Sequence, residues 1–198
     1  ITALPPASND TCASATALTL VNGAVSAMGD VHNLLTPDEY SSVSCGGHTM
    51  SGGQIYYKFD AVAGTDYRVS VTNNAGYHLS AYIFASSCAD IDIPKGCTLV
   101  THALHGGDTG EALFTPQTSG TYHVAVDGTE NYSWGQFTLN VEKFVPPAHG
   151  ACAAAKPLTL FNGKAVEQGS TLGTQNEFGT DIRCGQPGYL SFDGGQVY

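Results

Sequence analysis

The chain has 198 residues, room for one or two domains. Only 12% of them are charged, against about 25% in an average soluble domain, and 17 Asp and Glu stand against 7 Lys and Arg, a formal charge of −10. An acidic surface repels phosphate backbones, which sets nucleic acid aside as a partner. No apolar run approaches the ~20 residues of a membrane-spanning helix, which sets aside membrane insertion.

The elements follow in chain order. Residues 1–8 form a Pro-containing connector, and a first module begins near Asn9. Leu18-Thr19-Leu20-Val21 reads as a short strand ended by an Asn22-Gly23 turn. Residues 30–53 read as loop, with three glycines around Cys45 and a Thr36-Pro37-Asp38-Glu39 turn. Alternation then becomes clean: strands are expected over Ile55–Phe59, Tyr67–Val71, His78–Ala85, Thr98–His102, Glu111–Thr115, Thr121–Asp127 and Phe137–Phe144. Tyr122, Val124 and Val126 alternate with His123 and Ala125, as in a strand with one buried face. Tyr56, Tyr67, Tyr82, Tyr122 and Phe137 are expected in the core. Short strands at roughly ten-residue spacing, with no 3.6-residue period, predict an all-β, antiparallel, jelly-roll-like β-sandwich.

The sequence then starts again. Cys-Ala-Ser-Ala-Thr-Ala-Leu-Thr-Leu-Val-Asn-Gly from Cys12 returns as Cys-Ala-Ala-Ala-Lys-Pro-Leu-Thr-Leu-Phe-Asn-Gly from Cys152, 140 positions on. Gly52-Gly53-Gln54-Ile55-Tyr56 returns as Gly194-Gly195-Gln196-Val197-Tyr198, and Leu4-Pro5-Pro6-Ala7 as Val145-Pro146-Pro147-Ala148. Self-similarity at a fixed period marks an array. The expected organisation is tandem modules: a complete sandwich over 9–144, a Pro-Pro linker at 145–148, and the first part of a second copy over 149–198. A third of a sandwich leaves open strand edges. The sequence is therefore read as a piece of a longer array, as an artificial truncation, or as a unit completed by strands of another molecule in head-to-tail assembly.

The cysteines follow the repeat: Cys12 and Cys45 correspond to Cys152 and Cys184, while Cys88 and Cys97 fall in the part that the second copy does not reach. Disulfides are expected at all six. Local pairing as Cys12–Cys45, Cys88–Cys97 and Cys152–Cys184 is the simplest scheme, though spacing does not fix connectivity. No Cys-x2-Cys or Cys-x4-Cys spacing suggests zinc. Disulfides imply an oxidising location, secreted, extracellular or at the cell surface. Ile1 is not an initiator Met, so a signal peptide has been removed or the chain is a fragment.

Asn-Asp-Thr-Cys-Ala at 9–13, Ser-Cys-Gly-Gly at 44–47, Gly-Thr-Tyr-His-Val-Ala-Val-Asp-Gly at 120–128 and Gly-Gln-Phe-Thr-Leu-Asn-Val at 135–141 resemble the bacterial pre-peptidase C-terminal domain family. More narrowly, they resemble the cysteine-containing copies strung in tandem in large secreted bacterial proteins. The resemblance implies a β-sandwich accessory or structural module outside the cytoplasm, in a family where some members bind calcium or matrix polymers. The connectors at 1–8 and 145–150 lack the dense acidic run of the calcium-binding members.

No enzyme motif stands out: there is no Gly-x-Ser-x-Gly, His-Glu-x-x-His or phosphate-cradling glycine loop. Residues three apart on an extended chain point to opposite faces, so His102 and His105 are expected as separate surface side chains. Asp90 and Asp92, with Asp108, could offer oxygen ligands to calcium, although solvated loop acids are commoner. No other cofactor is expected. Tyr132 and Trp134 lie in a polar stretch and could stack on sugar rings or a neighbouring protein. The expected function is that of a non-enzymatic structural or adhesive repeat protein of a cell surface or filament. Its partners would be neighbouring copies of itself or adjacent modules of a longer chain. The alternative is an accessory module of a secreted hydrolase that binds substrate or polysaccharide through Trp134 and Tyr132.

Overall fold

Apolar side chains at every second position bury one face of a strand and leave the other to be covered or solvated. In this chain two such sheets close on each other and a third layer covers the back of one of them. A computed structural model describes residues 8–32, 44–50, 52–76, 78–85, 97–128, 134–146, 148, 152–168 and 171. The chain divides into two units, Ile1–Phe144 and Val145–Tyr198.

In the first unit the strands are β1 (Thr16–Ala17), β2 (Ala24–His32), β3 (Ser44–Cys45), β4 (His48–Thr49), β5 (Gln54–Ala61), β6 (Tyr67–Gly76), β7 (Leu79–Ala85), β8 (Cys97–Leu104), β9 (Thr109–Phe114), β10 (Gly120–Gly128) and β11 (Trp134–Lys143). One sheet runs β1-β5-β10-β7-β8, the other β2-β11-β6-β9, and β3 and β4 form a separate hairpin. The fold is an all-β sandwich, antiparallel except where the short β1 lies parallel to β5. Among the described residues no helix is long and apolar enough to cross a membrane.

The core lies between the sheets. Ile55, Tyr57 and Phe59 of β5, Tyr122, Val124 and Val126 of β10, and Ala81 and Ile83 of β7 face Val69 and Val71 of β6 and Phe137, Leu139 and Val141 of β11. Each buried Val, Leu or Phe contributes about 1.5–3 kcal/mol. Tyr57 meets Phe137 edge-on, with ring centroids 6.1 Å apart. The strand β2, read as loop from residue 30 onward, packs on this core through Val31, with Val25 and Ala27 beside it. At Gly29 a Cβ would overlap the rings of Phe137 and Tyr57, and the Tyr57 hydroxyl donates to the Met28 carbonyl oxygen at 3.1 Å.

The strand β10 departs from the expected single buried face: Tyr122 to Gly128 are all buried. The reason is a second apolar cluster on the outer face of the five-stranded sheet. Cys12, Ala15, Cys45 and Met50 cover Tyr56, Tyr82, Phe84 and Ala125 there. Tyr56 and Tyr82 are buried as expected, but in this outer layer.

In the second unit, two local structures of the first recur at the 140-residue offset. A 3-10 turn spans Cys12–Ser14 and another spans Cys152–Ala154. The Asn22-Gly23 turn, with φ of 54° and 86°, closes a Val21–Ala24 bridge; Asn162-Gly163, with φ of 51° and 76°, closes a Phe161–Lys164 bridge. Asn followed by Gly, both at positive φ, is the sequence such a two-residue hairpin requires.

Candidate functional site

The outer face of the five-stranded sheet gathers the polar chemistry of the first unit, and a disulfide builds it. Cys45 of β3 is bonded to Cys97 at the start of β8, with Cα atoms 5.9 Å apart. This corrects the expected local pairing: Cys45 does not pair with Cys12, nor Cys97 with Cys88. Local pairing fails because the β3–β4 hairpin lies over the outer face of the five-stranded sheet and sets Cys45 against Cys97, 52 positions away in sequence. Cys12 is also disulfide-bonded. Cys88, Cys184 and the side chain of Cys152 lie outside the described residues.

A polar latch lies at one end of the same face. Asp127 of β10 accepts from the Gly52 backbone N–H at 3.1 Å and from Gln54 Nε2 at 3.2 Å. The Tyr56 hydroxyl donates to Gln54 Oε1 at 3.1 Å, and Asn9 Nδ2 donates to the Tyr56 carbonyl oxygen at 2.9 Å. The Gly-Gly-Gln and Val-Asp-Gly sequences are thus two halves of one structural device. At Gly52 a Cβ would overlap the Gly128 carbonyl.

Four histidines line the neighbouring edge: His48 of β4, His102 of β8, His78 just before β7 and His105 just after β8. The stapled hairpin stacks His48 on His102 of β8, with ring centroids 3.7 Å apart. His102 Nδ1 lies 3.0 Å from the Ser80 hydroxyl. His78, just before β7, brings its Nε2 to 3.0 Å from His105 Nε2. The register of β8 against β7 shifts between Leu79 and Ala81 and again between Ala81 and Tyr82, and such irregularities re-aim side chains. Burial holds the His102 pKa below its ordinary value, and His48 and His78 lower it further. Burial pushes Tyr82 up to about 12, with the Asp127 carboxylate adding to the effect.

The turn that carries His105 is held from several sides. Asp108 N–H donates to the His105 carbonyl at 3.0 Å, closing a β-turn. The His105 N–H donates to Asp108 Oδ2 at 3.3 Å, and His105 Nδ1 lies 3.6 Å from the same oxygen. Asn73, fully buried in β6, donates from Nδ2 to the Leu104 carbonyl at 2.8 Å and accepts from the Gly107 N–H at 2.7 Å. His102 and His105 therefore take different partners. Their real neighbours, His48 and His78, are distant in sequence and were not singled out in it.

Ser80 and His102 are a hydroxyl–imidazole pair, but Ser80 is fully buried. No substrate carbonyl can reach its oxygen, so the hydroxyl serves to hold His102. Of the calcium candidates, Asp108 binds its own turn and His105, while Asp90 and Asp92 lie outside the described residues. Among the described residues no three His, Cys, Asp or Glu side chains converge as a metal site. Trp134 opens β11 opposite His32; its side chain, and all of Tyr132, lie outside the described residues.

No family model matches the chain, and no curated protein matches it. Among solved structures it is similar to the pre-peptidase C-terminal domain of a Bacillus anthracis collagenase, at 18% identity over 65% of this chain and 94% of that one, with a TM-score of 0.40. It is also similar to Aeromonas hydrophila PliG, a periplasmic inhibitor of g-type lysozyme, at 16% identity over 65% and 94%, TM-score 0.42. A third is CorA, a surface-associated copper-binding protein of Methylomicrobium album BG8, at 13% identity over 66% and 98%, TM-score 0.40. Likenesses at this level assign no activity, ligand or partner.

Proposed function

We propose that this chain is part of a non-enzymatic extracytoplasmic protein whose β-sandwich modules, arranged in tandem, serve a structural or adhesive role at a cell surface or in a filament. The observation that carries the reading is the Cys45–Cys97 disulfide, which fastens a hairpin over the outer face of a sandwich that already has its own core. Such a bond persists where the surroundings are oxidising. It resists unfolding by restricting the unfolded chain. The tandem arrangement is supported by the recurrence of the 3-10 turn and the Asn-Gly turn at the 140-residue offset. The partners in this reading are further copies of the same module.

Sedimentation of the full chain beside a chain lacking residues 149–198 tests the role. The shortened chain should remain a folded monomer and no longer assemble. Assembly that persists unchanged after the deletion contradicts contact through the second copy.

A further inference from the structure

We propose that His78 and His105 form a chelating site for a late divalent transition-metal ion, Cu(II) foremost, with Nε2 of both rings as its ligands. The two Nε2 atoms are 3.0 Å apart. Metal–imidazole bonds are about 2.0–2.1 Å long. Two such bonds at a right angle place their nitrogens ~2.9 Å apart, whereas a tetrahedral angle would place them ~3.3 Å apart. The observed spacing matches adjacent corners of a square, the geometry of Cu(II) or Ni(II) rather than of Zn(II). Cu(II) also heads the affinity order for divalent first-row ions.

The surroundings suit that role. Asp108 beside His105 Nδ1, at 3.6 Å, favours the tautomer with its proton on Nδ1 and its lone pair on Nε2. A carboxylate behind a histidine in this way orients the ring toward a metal. The turn that carries His105 is closed by the Asp108 N–H and held by Asn73 at Leu104 and Gly107, which fixes the backbone from which the ring projects. His102 and its stacked partner His48 stand next to the pair and bring further imidazoles to the patch. The side chain of His105 is 71% exposed, leaving the outer coordination positions to water. A formal charge of −10 on the whole chain draws cations toward it.

The competing account is an ordinary N–H···N hydrogen bond between two surface rings. Titration of the full chain with Cu(II) against a competing chelator, followed by electron paramagnetic resonance, separates the two. The expected result is one bound ion with coupling to two imidazole nitrogens. His78→Ala or His105→Ala should weaken binding about 100-fold, since each turns a chelate into a single contact, and should leave coupling to one nitrogen. Asp108→Asn should weaken it about tenfold, as loss of a supporting carboxylate does. Melting curves without metal confirm that the variants fold. Wild-type affinity in both alanine variants, or a wild-type spectrum without two imidazole nitrogens, overturns the proposal.

Discussion

Gly52 and Asp127 are 75 positions apart and joined by one buried hydrogen bond, from the Gly52 N–H to Asp127 Oδ1 at 3.1 Å. The contact exists because residue 52 carries no side chain, so the loop before β5 can lie against the end of β10. The Gly128 N–H completes the junction by donating to the Gly53 carbonyl at 3.2 Å. The first glycine of Gly52-Gly53-Gln54 thereby acquires a structural reason.

Gly52→Ala should destabilise the first unit by about 2 kcal/mol, the usual scale of an overpacked site. Urea unfolding should show a lower midpoint with an unchanged slope. Asp127→Ala should cost a similar ~1–3 kcal/mol, because it strips the acceptor from buried donors.

Loss of the staple should act mainly on the outer layer. Cys45→Ser should lower stability by about 2–4 kcal/mol. Amide exchange should accelerate first over residues 44–49, while β6 and β11, which belong to the other sheet, keep their protection.

Much of this fold can be read from the residues, because β5, β6, β10 and β11 alternate large apolar side chains with small or polar ones. The strand β2 could not, since Gly29 serves a packing role that only the rings of Phe137 and Tyr57 define. The partner of Cys45 was equally hidden: sequence proximity favours Cys12, whereas the hairpin folded over the outer face meets Cys97. The histidine cluster follows the same logic. His102-x-x-His105 is visible as a spacing, but His48 and His78 join it only through a stapled hairpin and a shifted strand register.

Acid should weaken the protein through His102. Its pKa is held below the ordinary value of 6.5, first by burial and then by His48 and His78. The unfolded chain therefore binds the proton more readily than the folded one. The contribution is fully present above about pH 6.5 and is lost as pH falls through the folded value. The melting temperature should decline below that pH in the wild type and decline less in His102→Gln. Equal acid slopes for the two would contradict the assignment.

Alkali should act through Tyr82. Its phenol is fully buried and raised to about 12, so the folded state favours the neutral form. That contribution is present below about pH 10 and lost as pH rises toward 12. Absorbance titration at alkaline pH should show a late tyrosinate in the wild type whose amplitude falls in Tyr82→Phe, the remainder belonging to Tyr57, which burial also raises.

The most direct test of the stapled outer layer is peptide mapping of the native protein without reduction. A cross-linked pair of peptides containing Cys45 and Cys97 is the predicted result. A Cys12–Cys45 cross-link, or free thiols at Cys45 and Cys97, would contradict the placement of the hairpin and with it the stacking of His48 on His102.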